Sequence, residues 1–368
     1  MCDDNRMLLP RRASRELLLA IAVTTTASFL RAQAPPALQQ SPRIQEAITV
    51  ERIIVDARVT LANGEPILGL TPKDFTVRVD GVPAKVESAD WMPETALARE
   101  LADIDKPEVT VNRTLDVPAP QGRLLIFFFQ TDFARNPLRV AGQMKIMSYA
   151  DQIIDSLEPD DRVAVFSFDT HLKFRLDFSN EKDKVRQAMR GSLKTDDPPP
   201  PPLVPMPSLS KRLDLEAMKS AASSERALFL VGNALRPIPG PKSLVLFGWG
   251  LGRLAGGQIV MGVDYALAKR SLESSRVTVF SIDITQADWH SLQVGLGKVA
   301  ADTGGFYESS YLFPRLAVDR LERTLQGHYE LEVRKPELKK LGVHAIDVQV
   351  PKRDAVVLAR TTYVDKGE

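Results

Sequence analysis

The sequence predicts a doubly wound, mostly parallel α/β sheet inserted into a small antiparallel β-sandwich built from both chain ends. Three observations carry this. The middle of the chain alternates short apolar runs with amphipathic segments, the pattern of a parallel sheet covered on both faces. The stretches before and after it switch to alternating apolar and polar residues, as strands with one buried face do. Neither flanking stretch is long enough to bury a core alone, so each is the expected partner of the other.

The chain has 368 residues, of which 44% are apolar, enough for two domains or one domain with additions. The net charge is +1, so no electrostatic drive toward nucleic acid or an anionic membrane surface is evident. Cys2 is the only cysteine. That excludes internal disulfides and any cysteine-based metal or nucleophilic site.

Residues 1–34 read as a signal peptide. Arg11 and Arg12 precede the apolar stretch Leu17 to Leu30, and Ala32-Gln-Ala34 supplies a small-x-small pattern. The stretch is too short and too polar for a comfortable membrane span. Pro35 disfavours cleavage directly after Ala34, so the segment is either cut elsewhere or kept as an N-terminal membrane anchor. Both outcomes put the chain outside the cytoplasm, periplasmic or secreted. Residues 35–45 are a Pro/Gln-rich linker.

Residues 46–92 form the N-terminal half of the sandwich. Ile53, Val55, Ala57 and Val59 alternate up to the turn Asn63-Gly64; Phe75, Val77 and Val79 alternate up to Asp80-Gly81. Residues 93–120 are polar and without period, an irregular connection. The α/β domain spans 121–326. Its first strand lies in the stretch that opens at Gly122, where an apolar run leads into the polar loop Gln130 to Asn136, and a helix, Arg139 to Leu157, follows. Val163 to Phe168 is a second buried strand, and His171 to Phe178 alternates as an antiparallel edge strand would. A short helix covers Glu181 to Met189. Pro198 to Pro202, inside the Pro-rich loop 196–207, are forced into an extended polyproline spacer. One long helix is expected over Leu213 to Leu235. Strand Ser243 to Phe247 and helix Gln258 to Ser274 come next, then strand Arg276 to Ile282 and helix Trp289 to Thr303. Gly304-Gly305 turns into a short strand, and Leu312 to Gln326 is the closing helix. Residues 327–365 return to alternation through Tyr329, Leu331 and Val333, then Ile346, Val348 and Val350, and finally Val356, Leu358 and Tyr363.

Several motifs, in order, resemble one family. These are Val55-Asp-Ala-Arg-Val-Thr60, Leu68-Gly-Leu-Thr71-Pro-Lys-Asp74-Phe75, Val79-Asp80-Gly81-Val82-Pro83, Glu158-Pro-Asp160-Asp161-Arg162, Thr303-Gly304-Gly305, Tyr329-Glu-Leu331 and Ala359-Arg360-Thr-Thr-Tyr363. Together they are similar to the VWFA-related domain proteins, secreted acidobacterial proteins with a von Willebrand factor A-like fold. The resemblance covers residues 46 to 365. It implies a fold whose members often bind Mg²⁺ at an adhesion site made of a D-x-S-x-S loop, a Thr from a second loop and an Asp after a later strand. A hard cation needs such oxygen ligands. This chain departs from that pattern. Gln130 stands at the first Asp position, Asp132 and Ala134 at the Ser positions, and Phe247-Gly248-Trp249-Gly250 has no carboxylate. No second-loop Thr is identifiable. The expectation is a degenerate metal site, with no metal and no other cofactor.

Nothing in the chain suggests an enzyme. There is no phosphate-cradling Gly-rich loop and no G-x-S-x-G elbow, and His290, His328 and His344 lack ligand spacing. The expected role is that of an exported, non-enzymatic binding, adhesion-type or scaffold protein with a protein or cell-envelope partner. Contact is expected through the loops after the strands, at Gln130, Asp132, Phe133, Trp249, Asp283 and Trp289, because aromatics dominate interface energetics. The alternative is a divalent-metal-dependent binder or hydrolase using Asp132, Asp169 and Asp283, with His171 close to Asp169 and Asp132 as the one remaining metal candidate. Strand-end Asp residues also commonly cap the turn that follows them.

Overall fold

The computed structural model describes residues 51–104 and 122–365, apart from Leu203, Met206, Lys339 and Arg353. The expected signal peptide (1–34), the linker (35–45), the start of the leading strand (46–50) and most of the connecting segment (105–121) lie outside the described residues.

The chain begins with strands β1 (Arg52–Thr60), β2 (Thr76–Val79), β3 (Val82–Ala84) and β4 (Val86–Pro93), followed by helix α1 (Ala96–Ile104). The turn before β2 explains the second family-like motif, Leu68 to Phe75. Thr71 donates its backbone N–H and its hydroxyl to the Asp74 carboxylate, each at 2.7 Å, which closes a capping box around Pro72. After α1 come β5 (Leu124–Gln130), α2 (Pro137–Asp155), β6 (Arg162–Phe168), β7 (Leu172–Ser179), α3 (Lys182–Gly191), α4 (Leu215–Lys219) and α5 (Ser224–Leu235). Then follow β8 (Lys242–Gly248), the hairpin β9 (Arg253–Ala255) and β10 (Gln258–Val260), α6 (Val263–Ser274), β11 (Val277–Asp283), α7 (Gln293–Thr303), β12 (Tyr307–Ser309) and α8 (Pro314–Thr324). The tail is β13 (Gly327–Arg334), β14 (Gly342–Gln349), β15 (Val356–Ala359) and β16 (Thr362–Asp365).

The central sheet has the order β12-β11-β8-β5-β6-β7. All its pairings are parallel except β6 with β7. β5 is apolar on both sides because both sides are covered. Ile126 and Phe128 enter a core shared with α5 and α6. Leu125, Phe127 and Phe129 enter a second core shared with α2 and α8. Asp161 anchors the start of this pair of strands: its carboxylate accepts from the backbone of Arg123 at 2.8 Å and of Glu158 at 2.8 Å, and it is ion-paired to the Arg123 guanidinium.

Two antiparallel sheets take strands from both chain ends, in the orders β15-β1-β13-β4 and β16-β14-β2-β3. One apolar cluster draws on both, including Val55, Val77, Leu331, Ile346 and Tyr363. Tyr329 sits in that cluster, edge-on to Phe75 and to Trp91. Its hydroxyl accepts from Leu70 N–H at 3.1 Å and donates to Ile67 C=O at 3.0 Å. Ion pairs tie these strands to the α/β sheet: Arg276 binds both Asp56 and Glu330. Gly304 ends α7 with φ +81°, and a Cβ there would lie 2.7 Å from the backbone of Ala359. Glycine at this helix end therefore meets a conformational and a steric demand together.

Four boundaries differ from the sequence expectation. Residues 94–104 are not irregular throughout, since α1 forms there. The helix expected over Leu213 to Leu235 is two helices: Asp214 caps α4 and Ser223 caps α5, and these polar side chains offer the backbone an alternative to continuous helix. Gln258 to Val260 pair with β9 around Gly256-Gly257, so the helix begins at Val263. The helix expected from Trp289 begins at Gln293.

Glu94 lies at the junction between β4 and the α/β sheet. Its Oε1 accepts from Arg58 Nη2 at 3.1 Å and bonds His328 Nδ1 at 2.7 Å. Burial pushes its carboxyl up, but Arg58 and His328 outweigh that, and it lies below its ordinary value. Asp56 is likewise pushed up by burial, and its bond to Arg276 with the charge of His328 outweighs that, so it too lies low. Depressed carboxyls contribute stability that is complete above their unfolded values and lost as pH falls through the folded ones. Denaturant unfolding is expected to show stability falling from about pH 5 downward, and Glu94→Gln should flatten that fall by about 1–2 kcal/mol across the acid limb. An unchanged slope in the variant would contradict this assignment.

Candidate functional site

Because β5, β6, β8, β11 and β12 run parallel, the loops after them lie along one edge of the sheet, where ligands of such sheets bind. Gln130 closes β5 and is 3% exposed. Its amide makes four hydrogen bonds. Nε2 donates to Gly250 C=O at 2.7 Å and to Ser224 Oγ at 3.0 Å. Oε1 accepts from the backbone N–H groups of Trp249 at 2.9 Å and Gly250 at 3.1 Å. The two backbone N–H groups and the carbonyl fix which end of the amide is which. A Cβ on Gly248 would sit 3.0 Å from Gln130 Oε1 and 3.1 Å from Leu296, so glycine keeps this contact close. The start of α5 grips the same loop, since Glu225 Oε1 accepts from Gly252 N–H at 2.7 Å.

Asp132 is also buried. Its Oδ1 accepts from Ala134 N–H at 3.1 Å, and its Oδ2 accepts from Asn136 N–H at 3.0 Å and Arg139 Nη1 at 3.2 Å. Asn136 in turn caps α2, with Pro137 at its first position. The Arg139 guanidinium lies 3.8 Å over the Trp249 ring, a cation–π stack. Asp132, Arg139, Trp249 and Gln130 are thus one connected unit.

The other two acids belong to separate clusters. Asp169 pairs with the buried Lys173 at 2.7 Å and accepts from Thr170 N–H at 2.6 Å. Burial pushes its carboxyl up, but Lys173 and Thr170 outweigh that and hold it below the ordinary range. His171 bonds Asp197 at 2.7 Å rather than Asp169. Asp283 accepts from Thr285 N–H at 2.8 Å and Tyr307 Oη at 2.9 Å, and bonds His290 Nε2 at 2.6 Å. Burial, with the Asp283 charge added, pushes the Tyr307 phenol up, which keeps it a neutral donor.

The fit to a hard dication is poor. Gln130 presents a donor where a ligand oxygen is needed, Ala134 has no oxygen, and the Asp132 charge is already met by Arg139. Among the described residues, no group of three or more His, Cys, Asp or Glu side chains is placed to hold a metal ion. The structure does bring a second-loop hydroxyl to the site, that of Ser224. The sequence hid it by suggesting one continuous helix through that position. Arg139 carries no mark in the sequence, and His290 shows there only as a histidine without ligand spacing; their bonds to Asp132 and Asp283 appear only in the fold.

Of the six expected contact residues, Phe133 is 63% and Trp289 66% exposed. The other four are less accessible. Gln130, Asp132 and Asp283 are buried in their own hydrogen bonds, and Trp249 is half-buried beneath Arg139. They shape the loops instead. Leu138, Leu312 and Phe313 are exposed as well. Gln286 N–H donates to Leu138 C=O at 3.3 Å, and Lys145 Nζ donates to Tyr311 C=O at 2.7 Å, which ties the three loops together.

No protein-family model matches the chain, and no curated protein does either. Among solved structures it is similar to proximal thread matrix protein 1 from the mussel byssus, at 13% identity and TM-score 0.37, over 55% of this chain and 47% of that one. An aerotolerance-related membrane protein from Bacteroides fragilis gives 12% and 0.36, over 55% of this chain and 98% of that one. A von Willebrand factor type A structure from Catenulispora acidiphila gives 11% and 0.35, over 85% and 75%. The chain thus spans about half the length of the first and nearly all of the second.

Gln130→Ala should strip Gly250 and Trp249 of their partners and lower unfolding free energy by about 2–4 kcal/mol, since buried polar groups left unpaired cost the most. Denaturant titration measures the loss, and Trp fluorescence should shift to the red as Trp249 is released. A variant as stable as the parent would show that the amide is not the lock.

Proposed function

We propose that this chain is an exported, non-enzymatic binding or scaffold protein, with an A-domain-like α/β domain whose metal site is degenerate. The two antiparallel sheets are read as one sandwich, built from both chain ends and serving as the base. Its partner is a protein or another component of the cell envelope. The location follows from the signal-like layout of residues 1–34. The observation that carries the reading is the pairing of a locked loop with an exposed rim. The Gln130 and Asp132 hydrogen bonds hold the loop, while Phe133, Trp289 and Phe313 stand outside it, each more than 60% exposed. Aromatic anchors on a fixed backbone are what high-value interface positions consist of.

The same reading bears on the metal-dependent alternative. Asp132, Asp169 and Asp283 each have a different partner, in Arg139, Lys173 and His290. Calorimetric titration with Mg²⁺, Ca²⁺ and Mn²⁺ is expected to give no saturable heat. Saturable binding lost in Asp132→Ala would favour the alternative. For the binding surface, Phe133→Ala with Trp289→Ala should weaken capture of the envelope partner about tenfold or more, as loss of an anchor does, while leaving the thermal transition in place. Undiminished capture would remove the loop edge from consideration.

A further inference from the structure

A second site lies away from these loops, on the flank of the sheet. Between β7, α3 and the Pro-rich loop runs a cleft of about 640 Å³, within the size range of small-molecule sites. Its walls are of two kinds. Leu176, Pro199, Pro202 and Val204 give it an apolar side. Arg162, Arg175 and Lys194 give it positive charge. Among the described residues, none of these three cations has an ion-pair partner.

The acids that line the cleft do not neutralise them. Asp177 is buried and saturated by Ser208 Oγ at 2.7 Å, Ser210 Oγ at 2.6 Å and Leu209 N–H at 2.9 Å. Glu181 is paired with Lys184. Asp196 is exposed at the mouth, and only its backbone carbonyl bonds Arg175, at 3.3 Å. Arg175 itself is held in place. Its Nε donates to Ser167 Oγ at 2.6 Å, and its Nη2 donates to Lys194 C=O at 2.7 Å. Burial lowers its pKa, with the charges of Asp196, Asp169 and Asp197 acting in the opposite direction. A desolvated guanidinium that faces a cleft with no carboxylate in ion-pair contact is stabilised by an added anion, which its planar fork can bind in two-point fashion.

We propose that this cleft binds a small organic anion, a phosphate or carboxylate carried on an apolar body, with the anionic group at Arg175 and Lys194 and the body against Leu176 and the prolines. The polyproline stretch then has a role as the wall of a site, where sequence alone suggested a spacer.

The test is calorimetric titration of the full chain with four probes: phenyl phosphate, benzoate, inorganic phosphate and benzyl alcohol. Phenyl phosphate or benzoate is expected to bind saturably at one site, and which of the two binds tighter identifies the anionic group. Inorganic phosphate and benzyl alcohol should each bind about tenfold more weakly, since each lacks one half of the recognition. Arg175→Gln should abolish binding. Because Arg175 also holds the loop backbone, the pair Arg162→Gln and Lys194→Gln provides the second reading, with a loss of about fivefold or more expected from removing charge alone. No saturable binding by phenyl phosphate or benzoate overturns the proposal. So does binding that is unchanged in the Arg162→Gln, Lys194→Gln double variant, or benzyl alcohol binding as tightly as the anions.

Discussion

The upper edge of the sheet depends on one amide. A carboxylate at position 130 would accept from Trp249 and Gly250 but would repel the Gly250 carbonyl, which Gln130 Nε2 meets at 2.7 Å. An amide satisfies both demands because it donates as well as accepts. Its oxygen is already engaged by the N–H groups of Trp249 and Gly250. The loop after β8 is therefore held by the protein itself. A buried amide with all four of its hydrogen bonds made rigidifies its surroundings. The Ser224 hydroxyl and the Glu225 carboxylate, from the start of α5, extend that hold.

The base depends on a different constraint. Residues at opposite chain ends meet in one ladder, with β1 between β13 and β15. Such pairing links positions more than two hundred residues apart, so its loop-closure cost is lowered when the α/β domain brings the ends together. Arg276 makes that condition visible. It lies at the start of β11 yet binds Asp56 on β1 and Glu330 on β13. Charges taken this far out of water are costly unless paired, and removing any one would leave the others exposed to that cost. The family-like motifs fall at the same places. Asp74 holds Thr71, Tyr329 holds Ile67 and Leu70, and Gly304 lets α7 end against Ala359.

These facts explain what could be read in the sequence. The continuous run Leu124 to Gln130 announces a strand covered on both faces, because nothing else buries every residue of so short a segment. The tail strands were legible from period two, and their pairing with the head from the lack of any other partner. Boundaries set by side-chain caps were harder. Ser223 and Asp214 interrupt a pattern whose apolar spacing is helical throughout. The site was legible as a place but not as an arrangement. Gln130 and Asp132 stood out as departures from a motif. Their partners Ser224, Arg139 and Gly250 carry no mark in the linear order, since hydrogen bonds across loops leave no periodicity. Exposure was harder still: Trp249 and Trp289 look alike as strand-end aromatics, yet one is clamped beneath a guanidinium and the other is open to solvent.

That difference has a consequence for how the rim would work. Exposure is commonly read as mobility, but the turn carrying Phe133 is tied at three points. Asp132 accepts from Ala134 N–H and Asn136 N–H through its side chain and from Arg135 N–H through its carbonyl. Arg135 is held at φ +52° within that turn. Asp132 is buried, and its bonds fix the turn that carries Phe133. Ordering a free side chain on binding costs about 0.5–1.5 kcal/mol, and a ring already carried on a fixed turn avoids part of that loss. Buried polar residues and exposed aromatic ones are then two halves of one device. The first give up contact with water to hold the backbone, and under the proposed binding role the second would gain affinity from the backbone being held.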